Sequence, residues 1–388
     1  MAPCGGLAGV LRRFGPAWLE AHALSRSQAK AWRAIVSCRT AALGGHVEQC
    51  EHCGATRHVY HSCRNRHCPQ CQTRAKEAWL AARRRELLPV PYFHLVFTLP
   101  HALNAVIGAQ PRTMYELLFT AASATLNEFA AHARWLGGTP AFTLVLHTWK
   151  QDLGRHVHVH ALVAGGALTP AGQWASPRRG FLFPVKALSK VFRGKFIAAL
   201  AAGRTSARPG PAARLTDPQW ADLLVRLLAH DWVVYAKQPL GGPAQVLEYL
   251  ARYTHRVAIS NERILAITDT EVLFRVRAPA DGPKKRVLGV SGQDFVGRFL
   301  AHVLPCGFKR IRHYGLLGPA HKRAQLAAAR AALEAPAPPS AATESVQQFL
   351  RRVHRLQWIT CAHCGQGRYA PLQPIAPQPG RHRQRAPP

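Results

Sequence analysis

Residues 142–166 read FTLVLHTWKQDLGRHVHVHALVAGG. Alternate residues of a strand face opposite sides, so His156, His158 and His160 share one face while Val157 and Val159 share the other. Same-face Cα atoms lie roughly 6.5 Å apart, close enough for neighbouring imidazoles to converge on one ion. Burying three unpaired imidazoles is costly, so the pattern reads as a divalent-metal site. It contains no thiolate. A site of imidazoles with open positions that meets phosphate oxygen suits Mg²⁺ or Mn²⁺.

Outward from this block the chain reads as strands and helices. Phe142–Trp149 precedes His156–Val163 as a second apolar strand, and Tyr92–Leu99 (YFHLVFTL), closed by Pro100, is a third. A helical run over 101–136 separates the first strand from the other two. Strand, long helix, strand, strand predicts an α+β sheet with helices on one face. A further short strand is expected at Phe181–Val185, a helix at Ala187–Ala202 and a basic loop over 203–214. Helices are expected at 218–229 and at 244–257, where Pro243 suits a first helical position. Hairpins are expected over 263–290 and helices at 294–304 and 319–334.

The domains follow from composition: a helical segment over 1–45, a cysteine-rich module over 46–78, a catalytic domain over 88–320 and a linker over 335–342 containing APAPPS. A C-terminal extension over 343–388 carries Cys361 and Cys364, and its basic tail from 371 onward is expected to be disordered. The 388 residues hold 51 Lys and Arg against 19 Asp and Glu, a net charge of +32. So basic a chain is stabilised by a polyanion, and nucleic acid is the expected partner. No run of 18 apolar residues is present, and Met1–His22 lacks the basic-then-apolar order of a secretory signal, so no membrane partner is expected and a cytoplasmic location is. The 7 Asp and 12 Glu are scattered, which argues against a nuclease built on three carboxylates and two metal ions.

The module at 46–78 reads CEHCG at 50–54 and SCRNRHCPQC at 62–71. Two C-x-x-C pairs, Cys50/Cys53 and Cys68/Cys71, separated by 14 residues, have the spacing of one four-thiolate Zn²⁺ site; Cys63 and His67 either replace one ligand or, with His46, His58 or His61, build a second site. The segment has too little apolar content to fold without metal. Arg64, Arg66 and Arg74 would then sit on a metal-fixed surface suited to phosphate contacts. The pair Cys361/Cys364 finds no partner by spacing.

The stretch GGPAQVLEYLARYTHR at 241–256 places Tyr249 and Tyr253 one helical turn apart. Alone, such a pair reads as packing beside Val246, Leu250 and Val257. Beside a metal that polarises phosphate, a phenol with an ordinary pKa of about 10 becomes a feasible nucleophile.

Taken together, His158-Val159-His160, the helix bearing Tyr249 and Tyr253 and the upstream SCRNRHCPQC resemble the two-tyrosine rolling-circle transposases of bacterial insertion sequences, members of the HUH endonuclease superfamily. The likeness covers about residues 40–320, including YFHLVFTLP, LHTWKQDLGRHVHVHALVAGG and YLARYTHRVAISNERI. It implies a ferredoxin-like catalytic sheet, cleavage of single-stranded DNA and a 5′-phosphotyrosine intermediate. It further implies His158 and His160 as metal ligands and Tyr249 and Tyr253 as nucleophiles. For the third ligand, His147 has the His-then-His-x-His spacing of relaxases in that superfamily, with Gln151 and His156 as alternatives. No G-x-x-x-x-G-K-[ST] loop is present, so no ATP hydrolysis is expected. Two other readings compete: a zinc-dependent DNA-binding regulator without catalysis, which leaves the histidines unused, and a metal-independent tyrosine recombinase using Arg310, Arg312, His313 and Tyr314.

Overall fold

The computed structural model describes residues 5–71, 73–178, 181–205, 210–237, 247, 258–277, 285–338, 345, 348–349 and 360–378. The fold is α+β. Its central antiparallel sheet is built from β3 (Tyr92–Thr98), β4 (Thr139–Trp149), β5 (Arg155–Leu168), β7 (Val234–Lys237) and β11 (Ile311–Gly315), in the order β11-β4-β5-β3-β7, and β6 (Trp174–Ala175) extends β5.

Alternation along β5 assigns the two faces of this sheet. Val157, Val159, Ala161 and Val163 point into a core shared with α5 (Pro111–Ala131) and α6 (Val185–Thr205). Helix α5 buries Met114, Leu118, Ala122, Leu126 and Phe129 on one stripe, and α6 answers with Leu188, Phe192, Phe196 and Leu200, each set at helical period. Full burial of each large side chain is worth about 1.5–3 kcal/mol. The other face of β5 carries His158 and His160 at one end and Leu162 and Ala164 at the other. Its apolar end is covered by Leu80 of α3 (Thr73–Arg84), by Leu326 and Ala329 of the helix Lys322–Ala332, and by Leu247.

A second core joins α1 (Gly6–Ala21) and α2 (Arg26–Ser37) to the helix Gly292–Leu300 and to a three-stranded sheet of β8 (Ile264–Ile267), β9 (Glu271–Arg277) and β10 (Lys285–Ser291). Leu153, 1% exposed at the tip of the β4–β5 hairpin, belongs to this second core. The hairpin tip is held there by backbone carbonyls. Leu153 accepts from His302 Nε2 (2.8 Å), Asp152 from Arg298 (3.0 Å) and Gln151 from the Arg263 guanidinium.

The third unit is the cysteine-rich module. Its strands β1 (Gly45–Cys50) and β2 (Thr56–Tyr60) form a hairpin, and β12 (Tyr369–Ile375) pairs antiparallel along the free edge of β1. No helix among the described residues is long and apolar enough to cross a membrane.

Several expectations are corrected by this arrangement. The tail from 371 is not disordered at its start, because Tyr369–Ile375 forms a strand whose backbone groups find partners on β1. Phe181–Val185 is no strand: Val185 opens α6, and the Pro184 carbonyl accepts from the amides of Ala187 and Leu188 in its first turn. The run over 101–136 is divided into a short turn, α4 (Asn104–Ala109) and α5, since Pro111 has no N–H with which to continue a helix from α4. The expected helix at 244–257 lies outside the described residues apart from Leu247.

His302 supplies a test of the packing at the hairpin tip. It is 1% exposed, donates from Nε2 to the Leu153 carbonyl and meets the Thr148 hydroxyl at Nδ1 (3.2 Å), partners that suit the neutral ring. Burial holds its pKa down to about 4, against 6.5 for an ordinary histidine. The folded state therefore resists the proton that the unfolded chain accepts, so the stability is complete above pH 6.5 and is lost as pH falls towards 4. The loss is on the order of 3 kcal/mol at most for this group. Urea unfolding at pH 7.5 and 4.5 should show a smaller pH-dependent loss for His302→Gln than for wild type; equal losses would mean that His302 is not held neutral.

Candidate metal centre

Register brings the central histidines together. His147 on β4 lies directly opposite His158 on β5, and His160 lies between Val145 of β4 and Val96 of β3. The potential ligand atoms of His147, His158 and His160 all lie within 4.8 Å of one another. All three residues are buried, with exposures of 3%, 8% and 7%. His158 and His160 approach through their Nε2 atoms at 3.1 Å.

The environment keeps His158 and His160 neutral. Burial, followed by the nearby His156, holds His158 down to about 4, and burial together with His158 pushes His160 well below the ordinary range. Neutral imidazole is the form that ligates metal. His158 Nδ1 donates to the His156 carbonyl (3.0 Å), which fixes its proton on Nδ1 and leaves the Nε2 lone pair facing the group. His160 Nδ1 lies 2.8 Å from Nε2 of His94 on β3, with the two rings stacked.

His94 was not singled out from the sequence, although a signal existed. Phe93, Leu95 and Phe97 alternate into the helix-covered core, which sends His94 to the histidine face. Neither alternative ligand joins this group of three, although the His156 ring centre stands 4.9 Å from that of His158. His156 is half-buried with Nδ1 3.4 Å from His101 Nε2, and Gln151 is exposed in the β4–β5 turn.

The cysteines do not meet as their spacing predicts. Cys68 and Cys71 lie with Cys38 and Cys63, whereas Cys50 and Cys53 lie with Cys361 and Cys364. The hairpin is the physical reason. Gly45 pairs with Tyr60 at its open end, while Cys50 and Cys53 sit at the turn between β1 and β2, so the chain returns a strand's length before it reaches Cys63.

In the first cluster Cys71 Sγ is 3.3 Å from Cys38 Sγ and 3.6 Å from Cys63 Sγ. Hydrogen bonding with Cys38 pushes Cys71 far down and Cys68 far up, the mark of sulfurs too close to ionise together without a cation. The donor set fits zinc. His67 stands outside it: buried, held down to about 3 by burial, it accepts from the Leu304 amide through Nε2 (3.1 Å).

The remaining candidates divide in the same way. Arg64 is exposed, but Arg66 donates to the carbonyls of Phe308 (2.5 Å) and Pro305 (3.0 Å), so it ties the cysteine module to the loop before β11 and offers phosphate less than expected. The side chain of Arg74 lies outside the described residues, as do Tyr249 and Tyr253. The recombinase candidates take structural partners. Arg310 is 7% exposed, Arg312 pairs with Glu116 (2.6 Å), His313 meets Thr143 (2.8 Å) and Tyr314 stacks on Phe142.

Comparison with known proteins places this architecture. Residues 141–325 match the family model described as "Putative transposase", and residues 10–99 match "Transposase zinc-binding domain". The chain is 42% identical over 376 residues to the "Putative transposase y4qJ" of Sinorhizobium fredii, covering 95% of this chain and 94% of that protein. It is 25% identical over 288 residues to the transposase for insertion sequence element IS801 of Pseudomonas savastanoi pv. phaseolicola, covering 73% of this chain and 68% of that one. Cysteine clusters that fit zinc, a histidine-bearing sheet within the matched transposase region and relatives of this extent together show that the chain belongs to the insertion-sequence transposases in which a zinc-binding domain precedes the transposase domain.

Proposed function

We propose that this transposase cuts and rejoins single-stranded DNA by transesterification, with Tyr249 and Tyr253 as nucleophiles and His147, His158 and His160 as ligands of a divalent ion, Mn²⁺ or Mg²⁺. The observation that carries this reading is the convergence of three buried imidazoles from paired strands, two of them, His158 and His160, meeting Nε2 to Nε2 at 3.1 Å. When His160 donates from Nδ1 to His94, both Nε2 lone pairs face each other, an arrangement that a shared cation stabilises. A bound ion there would polarise a phosphate oxygen and ease attack at phosphorus. Imidazole ligands favour Mn²⁺ over the harder Mg²⁺.

The chain's own groups would do the rest. A tyrosine oxygen attacks the phosphorus, the bond to the 3′ oxygen breaks, and that oxygen leaves as a 3′ hydroxyl while the 5′ phosphate stays on the tyrosine. Attack by another 3′ hydroxyl reverses the step on a new strand, frees the phenol and needs no nucleotide. Leu247, two residues before Tyr249 in the sequence, is 2% exposed in the cluster that includes Leu162 and Ala164 on the histidine-bearing face of β5. The net charge of +32 supports binding along the phosphate backbone.

The direct test is incubation with labelled single-stranded element ends and Mn²⁺, followed by mapping of the covalent peptide. Trypsin cleaves after Arg252 and so separates Tyr249 from Tyr253. An adduct on neither tyrosine would overturn the reading. Tyr249→Phe and Tyr253→Phe should each retain part of the single cleavage and lose complete transposition, and the double variant should be inert; normal transposition by either single variant would leave a one-tyrosine enzyme.

The metal reading makes its own demands. His158→Ala or His160→Ala should lower nicking by at least about 100-fold while single-strand affinity, carried by Lys and Arg, changes little. Equal loss of binding would make the histidines structural.

His94 is predicted to act through His160. His94→Leu should raise the Mn²⁺ concentration needed for half-maximal nicking by about 10-fold, with near wild-type rate at saturating Mn²⁺. An unchanged Mn²⁺ requirement would remove His94 from the site.

A further inference from the structure

We propose that Cys50, Cys53, Cys361 and Cys364 bind a second zinc ion, closing a ribbon assembled from the two ends of the chain. The matched zinc-binding region ends at residue 99 and so contains only half of this site.

The two halves repeat each other. CEHCG at 50–54 and CAHCG at 361–365 share the pattern C-x-H-C-G. Gly54 and Gly365 adopt left-handed backbone, with φ of 73° and 70°, where a side chain would be strained. Each glycine closes the same turn, Gly54 N–H to the Cys50 carbonyl at 3.0 Å and Gly365 N–H to the Cys361 carbonyl at 2.9 Å. The Cys50 amide donates to Ala55 (2.9 Å) and the Cys361 amide to Gly367 (2.8 Å), so each turn is anchored on the chain that leaves it.

The sulfur geometry matches zinc. Cys50 and Cys364 are 3.8 Å apart through Sγ, and Cys53 and Cys361 are 3.7 Å apart. A tetrahedral ion with Zn–S bonds of about 2.3 Å separates its sulfurs by about 3.8 Å, nearly twice a disulfide bond. Two amides point at sulfur, His363 N to Cys361 Sγ (3.4 Å) and Gly367 N to Cys364 Sγ (3.3 Å), as donors that would stabilise thiolate charge. A Cβ at Gly367 would stand 2.3 Å from Cys50 Sγ, so this glycine keeps the site open.

The surroundings offer no substitute for a metal. Cys38, Cys63, Cys68 and Cys71 pack against the second apolar core, but none of the apolar clusters among the described residues includes Cys50, Cys53, Cys361 or Cys364. What joins the two chain ends is backbone pairing of β1 with β12, from Gly45↔Ile375 to Cys50↔Tyr369, and the Arg57 guanidinium stacked 3.7 Å from the Tyr369 ring centre. A three-stranded sheet needs an apolar face to be stable, none of the apolar clusters among the described residues draws on β1, β2 or β12, and a thiolate-bound ion supplies the missing stabilisation.

The test counts thiolate-bound metal in the full-length protein by Co²⁺ substitution, since sulfur-to-cobalt charge-transfer absorption excludes the histidine site. Wild type should bind two such ions. Cys361→Ser/Cys364→Ser should bind one, and adding Cys50→Ser/Cys53→Ser to that variant should remove no further ion. Combining Cys361→Ser/Cys364→Ser with Cys68→Ser/Cys71→Ser should remove both. Two ions in Cys361→Ser/Cys364→Ser, or none in the variant lacking Cys50, Cys53, Cys361 and Cys364, would overturn the proposal. Thiol alkylation of the unaltered zinc-loaded protein during stepwise chelation gives a readout free of folding defects. Cys50, Cys53, Cys361 and Cys364 should become reactive as one group, separately from Cys38, Cys63, Cys68 and Cys71, whereas reactive Cys361 and Cys364 beside protected Cys50 and Cys53 would refute the shared site.

Discussion

The register of β4 against β5 is the constraint on which the candidate centre depends. With His147 opposite His158, three imidazoles fall on the face away from α5 and α6; a slip of one residue would send them into the apolar core and expose the valines. Two features hold the register. Val157, Val159, Ala161 and Val163 bury against α5 and α6 only in this alignment, and the hairpin tip is clamped to the second core through Leu153, His302 and Arg298. Apolar burial thus sets the phase of the strand, and a few backbone contacts fix its end.

The clamp also couples the N-terminal helices to the site. Helices α1 and α2 contribute Leu7, Leu11, Phe14 and Ile35 to the core that receives Leu153, and Cys38, Cys63, Cys68 and Cys71 pack on the same core. Loss of metal from that cysteine cluster would therefore be felt at the hairpin that presents His147 and His158. Arg66 adds a polar link from the same module to the loop before β11, the strand that flanks β4.

What the sequence revealed and what it hid divide along the range of the interactions concerned. The strands β3, β4 and β5 were legible because alternation is local, and so was the shared face of His158 and His160. The hairpins over 263–290 were legible for the same reason. The cysteine partners were not: Cys38 precedes the module, Cys361 and Cys364 follow it by about three hundred residues, and spacing within 50–71 is compatible with one site as well as two halves. β12 was missed since Pro371 and Pro374 mark its sequence as loop. Those prolines lie on an edge strand, where a missing donor is tolerated. In the sequence His94 is one residue of an apolar strand, and what makes it the neighbour of His160 is a register that only the sheet supplies.

The histidine group and the charge of the whole chain bear on each other. Among the described residues, the group that brings His147, His158 and His160 together includes no carboxylate. Carboxylate ligands would hold a divalent ion more tightly, but each would cancel part of its charge and repel an incoming phosphate. On the proposed reading, imidazole ligands would leave the full double charge of a bound ion facing the substrate, at the cost of weaker metal affinity in the absence of DNA. Acidic residues pair with basic ones away from this group, among them Glu48 with Arg57, Glu86 with Arg83 and Lys322, and Glu116 with Arg312. Such pairs add little stability at a partly exposed surface. On the same reading the DNA phosphate would serve as the missing anionic ligand, so that metal and DNA would each bind more tightly in the presence of the other.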